Sequence, residues 1–307
     1  MDRMLLVKRA ARWFSVLLWA CLVLAAGARA GEPAFDVLSA YGQPQGGERV
    51  NSPADEIAWL KTHTLSHGEL DDFPQAAIIL YRREVARYLD ALGYAGHYTA
   101  FEYGFTVPCL VYVVRKPGEA PFAVARGMPG AGGVTVQAAE LQAMGARKLI
   151  HVGTVGLLSA DLSYGQVIIS DGSYRDGAAF LLAEDPHRQI ERPDPDLAAR
   201  LAAAATAAGT PPLRATGFTI PIYYFEPGGL MRDLLRIGGP DRPRYVEMEE
   251  APFYAEARLM HVAAASIVVG SDRLEVRDGR LAQGFWDGDL DGLEMKAFAI
   301  AIRALAP

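Results

Sequence analysis

Cysteine is nearly absent: the 307 residues hold only Cys21 and Cys109. Two cysteines cannot build a disulfide framework or a thiolate metal cluster. Histidine is scarce too, six in all. His63 and His67 stand four apart on a predicted helix, a spacing that lets two imidazoles pinch a metal. Neither an H-E-x-x-H pattern nor a cysteine pair accompanies them, so no metal site is expected. Basic residues are in deficit, 30 Lys and Arg against 36 Asp and Glu, a formal net charge of −6. That balance argues against nucleic acid, whose binding rests on neutralising phosphates. A run of about twenty apolar residues, enough for a spanning helix, is also missing. The longest, "WFSVLLWACLVLAA" from Trp13 to Ala26, falls short of it.

That run has a basic start (Arg3, Lys8, Arg9, Arg12) and is followed by "ARA" at Ala28 to Ala30, a small-x-small cleavage pattern. Residues 1–30 therefore read as a secretory signal peptide, and a periplasmic or secreted location is expected. A retained anchor is the weaker reading because the run is short. A lipoprotein acylated at Cys21 is weaker still, since bulky Trp19 stands where such signals prefer a small or branched residue. The thirty residues carry five basic and one acidic side chain, so the remainder carries −10. Cys109 is then the single cysteine, and stability rests on the core.

What is present is a globular composition, 51% hydrophobic and 21% charged. Residues 31–53 are rich in Gly and Pro and read as an extended leader. From residue 54 onward, short apolar runs alternate with helical periodicity. Strands are expected at Ala76 to Leu80, around the turn Pro117-Gly118-Glu119, at "KLIHVGTVG", from Gln166 to Ser170, Arg214 to Ile220 and Tyr245 to Met248, and at "ASIVVG". Helices are expected near Ala54, from Glu84 to Leu92, from Val134 to Gly145, over the alanine-rich 198–208, after Met248, and from Leu293 to Leu305. The pattern predicts one α/β domain over 54–307, a buried sheet with helices on both faces.

Four segments end buried runs with polar residues: "GMPGAGG", "HVGTVG", "VEMEE" and "VVGSDRL". The glycine loop would let backbone N–H groups reach an anion at a helix N-terminus. Gly153 to Gly156 reads as a second tight turn, with Thr154 as a further donor. Asp272, placed just after a buried strand, would be favoured by desolvation to hold a proton. The plain alternatives are a turn needing positive φ and a cap by Ser271 or Asp272.

Together these segments resemble the nucleoside phosphorylase superfamily, the group of purine nucleoside phosphorylases, uridine phosphorylases and methylthioadenosine/adenosylhomocysteine nucleosidases. The resemblance runs from about Ile78 to the C-terminus and is best over Gly127 to Asp171 and Tyr245 to Asp272. It implies a three-layer α/β/α fold around a mixed, partly barrel-like sheet. It also implies that Glu249 bridges the ribose hydroxyls and that Met248 packs under the sugar. Glu247 would lie toward the base or in the supporting shell, Ser271 would be a further substrate-binding residue, and Asp272 would protonate a purine at N7. Glu250 reads as no more than the first turn of the next helix. Phe225 in "IYYFEPGG" resembles the aromatic that stacks on the base. Gly130, Thr154, His151 and Arg83 become the phosphate candidates. The resemblance implies no cofactor beyond inorganic phosphate as co-substrate, and a homo-oligomer, a dimer or trimer of dimers, whose neighbouring subunit completes the sugar site.

The chain departs from the family pattern in two places. His151 stands where an arginine is usual in "I-R-V-G", and "ILYRREVAR" replaces a G-D-P-x-R loop. Arg82, Arg83 or Arg87 is expected either to substitute or to form a solvated helix face. The expected function is phosphorolysis of a nucleoside, purine before uridine, giving free base and ribose 1-phosphate. Hydrolysis by water is the alternative, and an exported nucleoside-binding protein without catalysis is the third.

Overall fold

Apolar residues on both faces of successive strands decide the architecture. The computed structural model describes residues 52–63, 70–104, 108–182, 185, 187–222, 226–278 and 280–306. In chain order its strands are β1 (Ala76–Leu80), β2 (Tyr98–Tyr103), β3 (Cys109–Val114), β4 (Phe122–Arg126), β5 (Lys148–Leu157) and β6 (Val167–Tyr174). β7 (Ile190–Glu191), β8 (Leu213–Thr219), β9 (Pro243–Glu247), β10 (Ala263–Arg277) and β11 (Arg280–Phe285) follow. The helices are α1 (Pro53–His63), α2 (Val85–Ala91), α3 (Ala131–Met144), α4 (Gly177–Leu181), α5 (Pro195–Ala207), α6 (Gly228–Leu234), α7 (Glu250–Leu259) and α8 (Leu290–Leu305).

β1 shows the layering in five residues. Ile78 and Leu80 enter one core with Leu201 of α5 and Phe298 of α8. Ala77 and Ile79 enter the other with Val134 and Leu141 of α3 and Phe253 of α7. The two-residue period of a strand thus feeds two helical layers. The strand order is β11-β10-β6-β8-β9-β5-β1-β4-β3-β2, with β7 on β6. β10 also pairs with β5, so β5, β9, β8, β6 and β10 close into a five-strand ring. Val155, Ile168, Ala215, Tyr245 and Val268 pack in a cluster of their own on these ring strands. The fold is the expected α/β architecture with a mixed, partly barrel-like sheet.

Two expected strand ends are not ends. β5 runs straight through Gly153 to Gly156 where a turn is predicted, and β10 continues past Gly270 to Arg277. The cause is the ring. Gly156 pairs with Val246 on one side and Asp272 on the other. A Cβ there would come within 3.0 Å of Asp272 Oδ2 and 3.1 Å of Val246 Cγ2, so glycine serves close approach, not turning. A bulge between Gly270 and Asp272 adjusts the register of β10 at the same level.

The hairpin around Pro117 is present as antiparallel β3 and β4. β2, β7, β11, α4 and α6 lack a forecast. β2 and β11 are half-exposed strands without a continuous apolar run, and the others span seven residues or fewer. Among the described residues no helix is long and apolar enough to cross a membrane. Residues 1–51, which hold the expected signal and all but the last two residues of the expected leader, lie outside the described residues, and Pro53 of that leader already opens α1.

Candidate active site

One cavity gathers most of the motif residues. It holds about 790 Å³ of empty space, part of it open to solvent. Thr154 and Val155 reach it from β5, Glu247, Met248 and Glu249 from the β9–α7 junction, and Ser271 and Asp272 from β10. Tyr81 at the end of β1, Glu226 before α6 and Gln283 of β11 complete much of its wall.

The acids of "VEMEE" have three different environments. Glu247 is buried and acts as a brace. Its Oε1 accepts from Ser173 Oγ at 2.8 Å and from Thr219 Oγ1, and its Oε2 accepts from the N–H groups of Glu249 and Glu250. It therefore ties β6 and β8 to the start of α7 and satisfies two of that helix's free donors. Glu249 faces the cavity. Its Oε1 accepts from the Gly130 N–H at 2.6 Å and its Oε2 from the Met248 N–H at 3.2 Å. Burial, then the charge of Glu247, push its pKa up to about 8.

Glu250 corrects the expectation of a plain first-turn residue. It opens α7, but its side chain is fully buried and accepts from Ser170 Oγ and the Tyr245 hydroxyl, both at 2.8 Å. Burial and the neighbouring Glu247 hold its pKa far above the carboxylate range. The residue thereby ties α7 to β6 and β9, a role that one-dimensional periodicity does not reveal.

Asp272 is half-buried and bound through both oxygens. Ser271 Oγ donates to Oδ1 at 2.8 Å and Gln283 Nε2 to Oδ2 at 2.7 Å. The dry strand end expected there is absent, because β11 continues the sheet beside it. The dry acid of the site is Glu249. Glu226 stands at the rim, and partial enclosure followed by the charge of Asp272 raises its pKa.

The phosphate candidates do not converge. Thr154 lines the cavity, whereas Gly130, His151 and Arg83 do not. Gly130 has φ +84, the glycine-favouring region, at the start of α3. Its N–H meets the carboxyl of Glu249, so the acid received at this helix N-terminus belongs to the protein. His151 is 1% exposed, packed against Tyr81 and Phe253, with both ring nitrogens unpartnered. Burial drives its pKa down to about 3, so the ring is neutral. Arg82 pairs with buried Glu294 and Arg87 with Asp291, while Arg83 is exposed on the turn after β1. Phe225 lies outside the described residues. So does His67, and His63 stacks on Trp59 at 4.2 Å. Among the described residues no three potential ligands cluster around a metal position.

The sequence model of the phosphorylase superfamily matches residues 66–306. This chain belongs to the phosphorylase superfamily. The superfamily fold is also that of two solved structures. The purine nucleoside phosphorylase of Toxoplasma gondii, in complex with immucillin-H, superposes with TM-score 0.62 at 17% identity, covering 76% of this chain and 91% of its own. The uridine phosphorylase of Vibrio fischeri superposes with TM-score 0.62 at 14% identity, covering 77% and 93%. At such identities the likeness is one of fold. No curated protein sequence matches the chain. Within this superfamily member, Tyr81, Glu226 and Gln283 are the wall residues that motif reading missed. Tyr81 and Glu226 lie inside the quoted segments "ILYRREVAR" and "IYYFEPGG" without being singled out as wall residues, and Gln283 carries no sequence signal of its own.

Proposed function

We propose that this chain is an exported enzyme that cleaves the N-glycosidic bond of a nucleoside, purine nucleosides first. The observation that carries this reading is the convergence of Glu249, from the β9–α7 junction, and Asp272, from within β10, on one cavity. Each Glu249 oxygen accepts one backbone N–H and keeps lone-pair capacity for one of two vicinal sugar hydroxyls. Met248 gives the sugar an adaptable apolar floor, and Phe225 is the proposed stacking partner of the base. Asp272 delivers a proton to the departing base, held in place by Ser271 and Gln283. As the bond breaks, its electron pair moves to the base and the sugar becomes cationic.

Superfamily membership supports phosphate as the acceptor, which gives free base and ribose 1-phosphate. One observation favours water instead. The described lining carries four acids, Glu226, Glu247, Glu249 and Asp272, and no Lys, Arg or His. A phosphate dianion brought there has no described cation to offset its desolvation. The test is a panel of purine and pyrimidine nucleosides, each incubated with and without phosphate, with the sugar product identified. Release of no base from any of them would overturn the assignment.

A further inference from the structure

The acceptor can be traced to one side chain. Asp272 pairs with Gly156 on β5, and Tyr81 packs beside Gly153 three residues earlier. At a strand's rise the two ends of the cavity are about 10 Å apart. With the base at Asp272 and the sugar over Met248 and Glu249, the Tyr81 end is where the acceptor enters. There the Tyr81 ring lies in a slot cut by glycine: a Cβ at Gly127 would come within 2.7 Å of that ring. The ring lines the cavity and meets His151 edge-on, with centroids 5.1 Å apart. His151, in contact with that ring, has two unpartnered nitrogens and no place on the cavity surface.

We propose that Tyr81 fixes water as the acceptor, standing as a neutral wall between the cavity and His151 at the end where an anion would have to bind. The inference rests on the hydrolytic reading above. Water needs only two to four hydrogen bonds and no counter-charge. Its oxygen bonds to C1′ as the C1′–N bond breaks and the bond's electron pair passes to the base. Asp272 gives its proton to the base, and the proton that the attacking water loses passes to solvent through the open cavity. The balance is nucleoside plus water to free base plus free ribose.

The experiment compares the wild type, Tyr81→Phe, Tyr81→Ala, Tyr81→Leu and the double variant Tyr81→Ala/His151→Ala. Each is assayed with and without inorganic phosphate for base release and sugar product, and titrated with phosphate by calorimetry. Wild type and Tyr81→Phe should give free ribose at a rate indifferent to phosphate and bind no phosphate. Tyr81→Ala or Tyr81→Leu should bind phosphate, with base release responding about tenfold to it, and the double variant should lose both gains. The His151 ring, followed by NMR, should titrate at higher pH once Tyr81 is cut back. Ribose 1-phosphate from the wild type, or phosphate bound equally by wild type and Tyr81→Ala, would overturn the proposal while leaving glycosidic cleavage intact. If no variant releases base, the function fails, and the phosphate and NMR titrations still decide the role of Tyr81.

Discussion

Glu249 and Asp272 differ in their surroundings, and that difference separates their roles. Asp272 has two side-chain donors and access to the cavity, so its removal is a test of chemistry more than of folding. Asp272→Asn should lower kcat by at least about 100-fold with little change in the thermal midpoint, measured by base release and by calorimetric melting. Glu249 tests linkage. An unfolded glutamate titrates near 4.5 and the folded one at about 8, so between these values the folded state binds the extra proton. Stability conferred by Glu249 is full below about 4.5 and is lost as pH rises to about 8. The wild-type melting temperature should fall over that window. Glu249→Gln, which keeps the shape and cannot ionise, should fall less steeply, by up to about 1.4 kcal/mol per pH unit. Equal slopes for the two proteins would refute the assignment of that proton to Glu249.

At the scale of elements, the β9–α7 junction holds the site together through Glu247. Thr219 on β8 donates to Glu247 Oε1 and accepts from the Ala251 N–H at 3.1 Å, joining strand, acid and helix at one oxygen. Thr219→Val keeps the volume and removes that atom, leaving a buried N–H unsatisfied and Glu247 short of a donor. The expected cost is about 1–3 kcal/mol in urea unfolding, with KM raised more than kcat as Glu249 loses its support. This junction also marks how far sequence reading reached. Local patterns found β1, β5, β6, β8, β9 and β10, the glycine loop before α3, and the motif that supplies Met248 and Glu249, because burial and capping leave local traces. The partners of Glu247 and the burial of Glu250 escaped it. They arise from residues such as Ser170, Ser173 and Thr219 that are distant in the chain and that only the sheet brings together.

For the whole molecule, closing the ring and docking the last helix are the long-range steps, and neither has a local signature. β5 serves three neighbours, β1, β9 and β10, so its glycines look like turn signals in one dimension and act as passing places in three. The arginines after β1 show the same limit. Their spacing suggests a phosphate substitute or a solvated face, yet Arg82 just after β1 and Arg87 on α2 both pair with α8, the last helix. Arg82 pairs with Glu294, which is 2% exposed. Arg87 pairs with Asp291 at 2.7 Å, both largely exposed. The two pairs should therefore respond very differently to loss of the cation. Arg82→Met leaves a carboxylate buried without its partner and should cost about 3–5 kcal/mol. Arg87→Ala removes a screened surface pair and should cost no more than about 1 kcal/mol. Urea unfolding of both variants makes the comparison. Should Arg82→Met be the milder change, the α8 anchor would have to lie in the apolar packing of Phe298 and Ile300 and not in the ion pair.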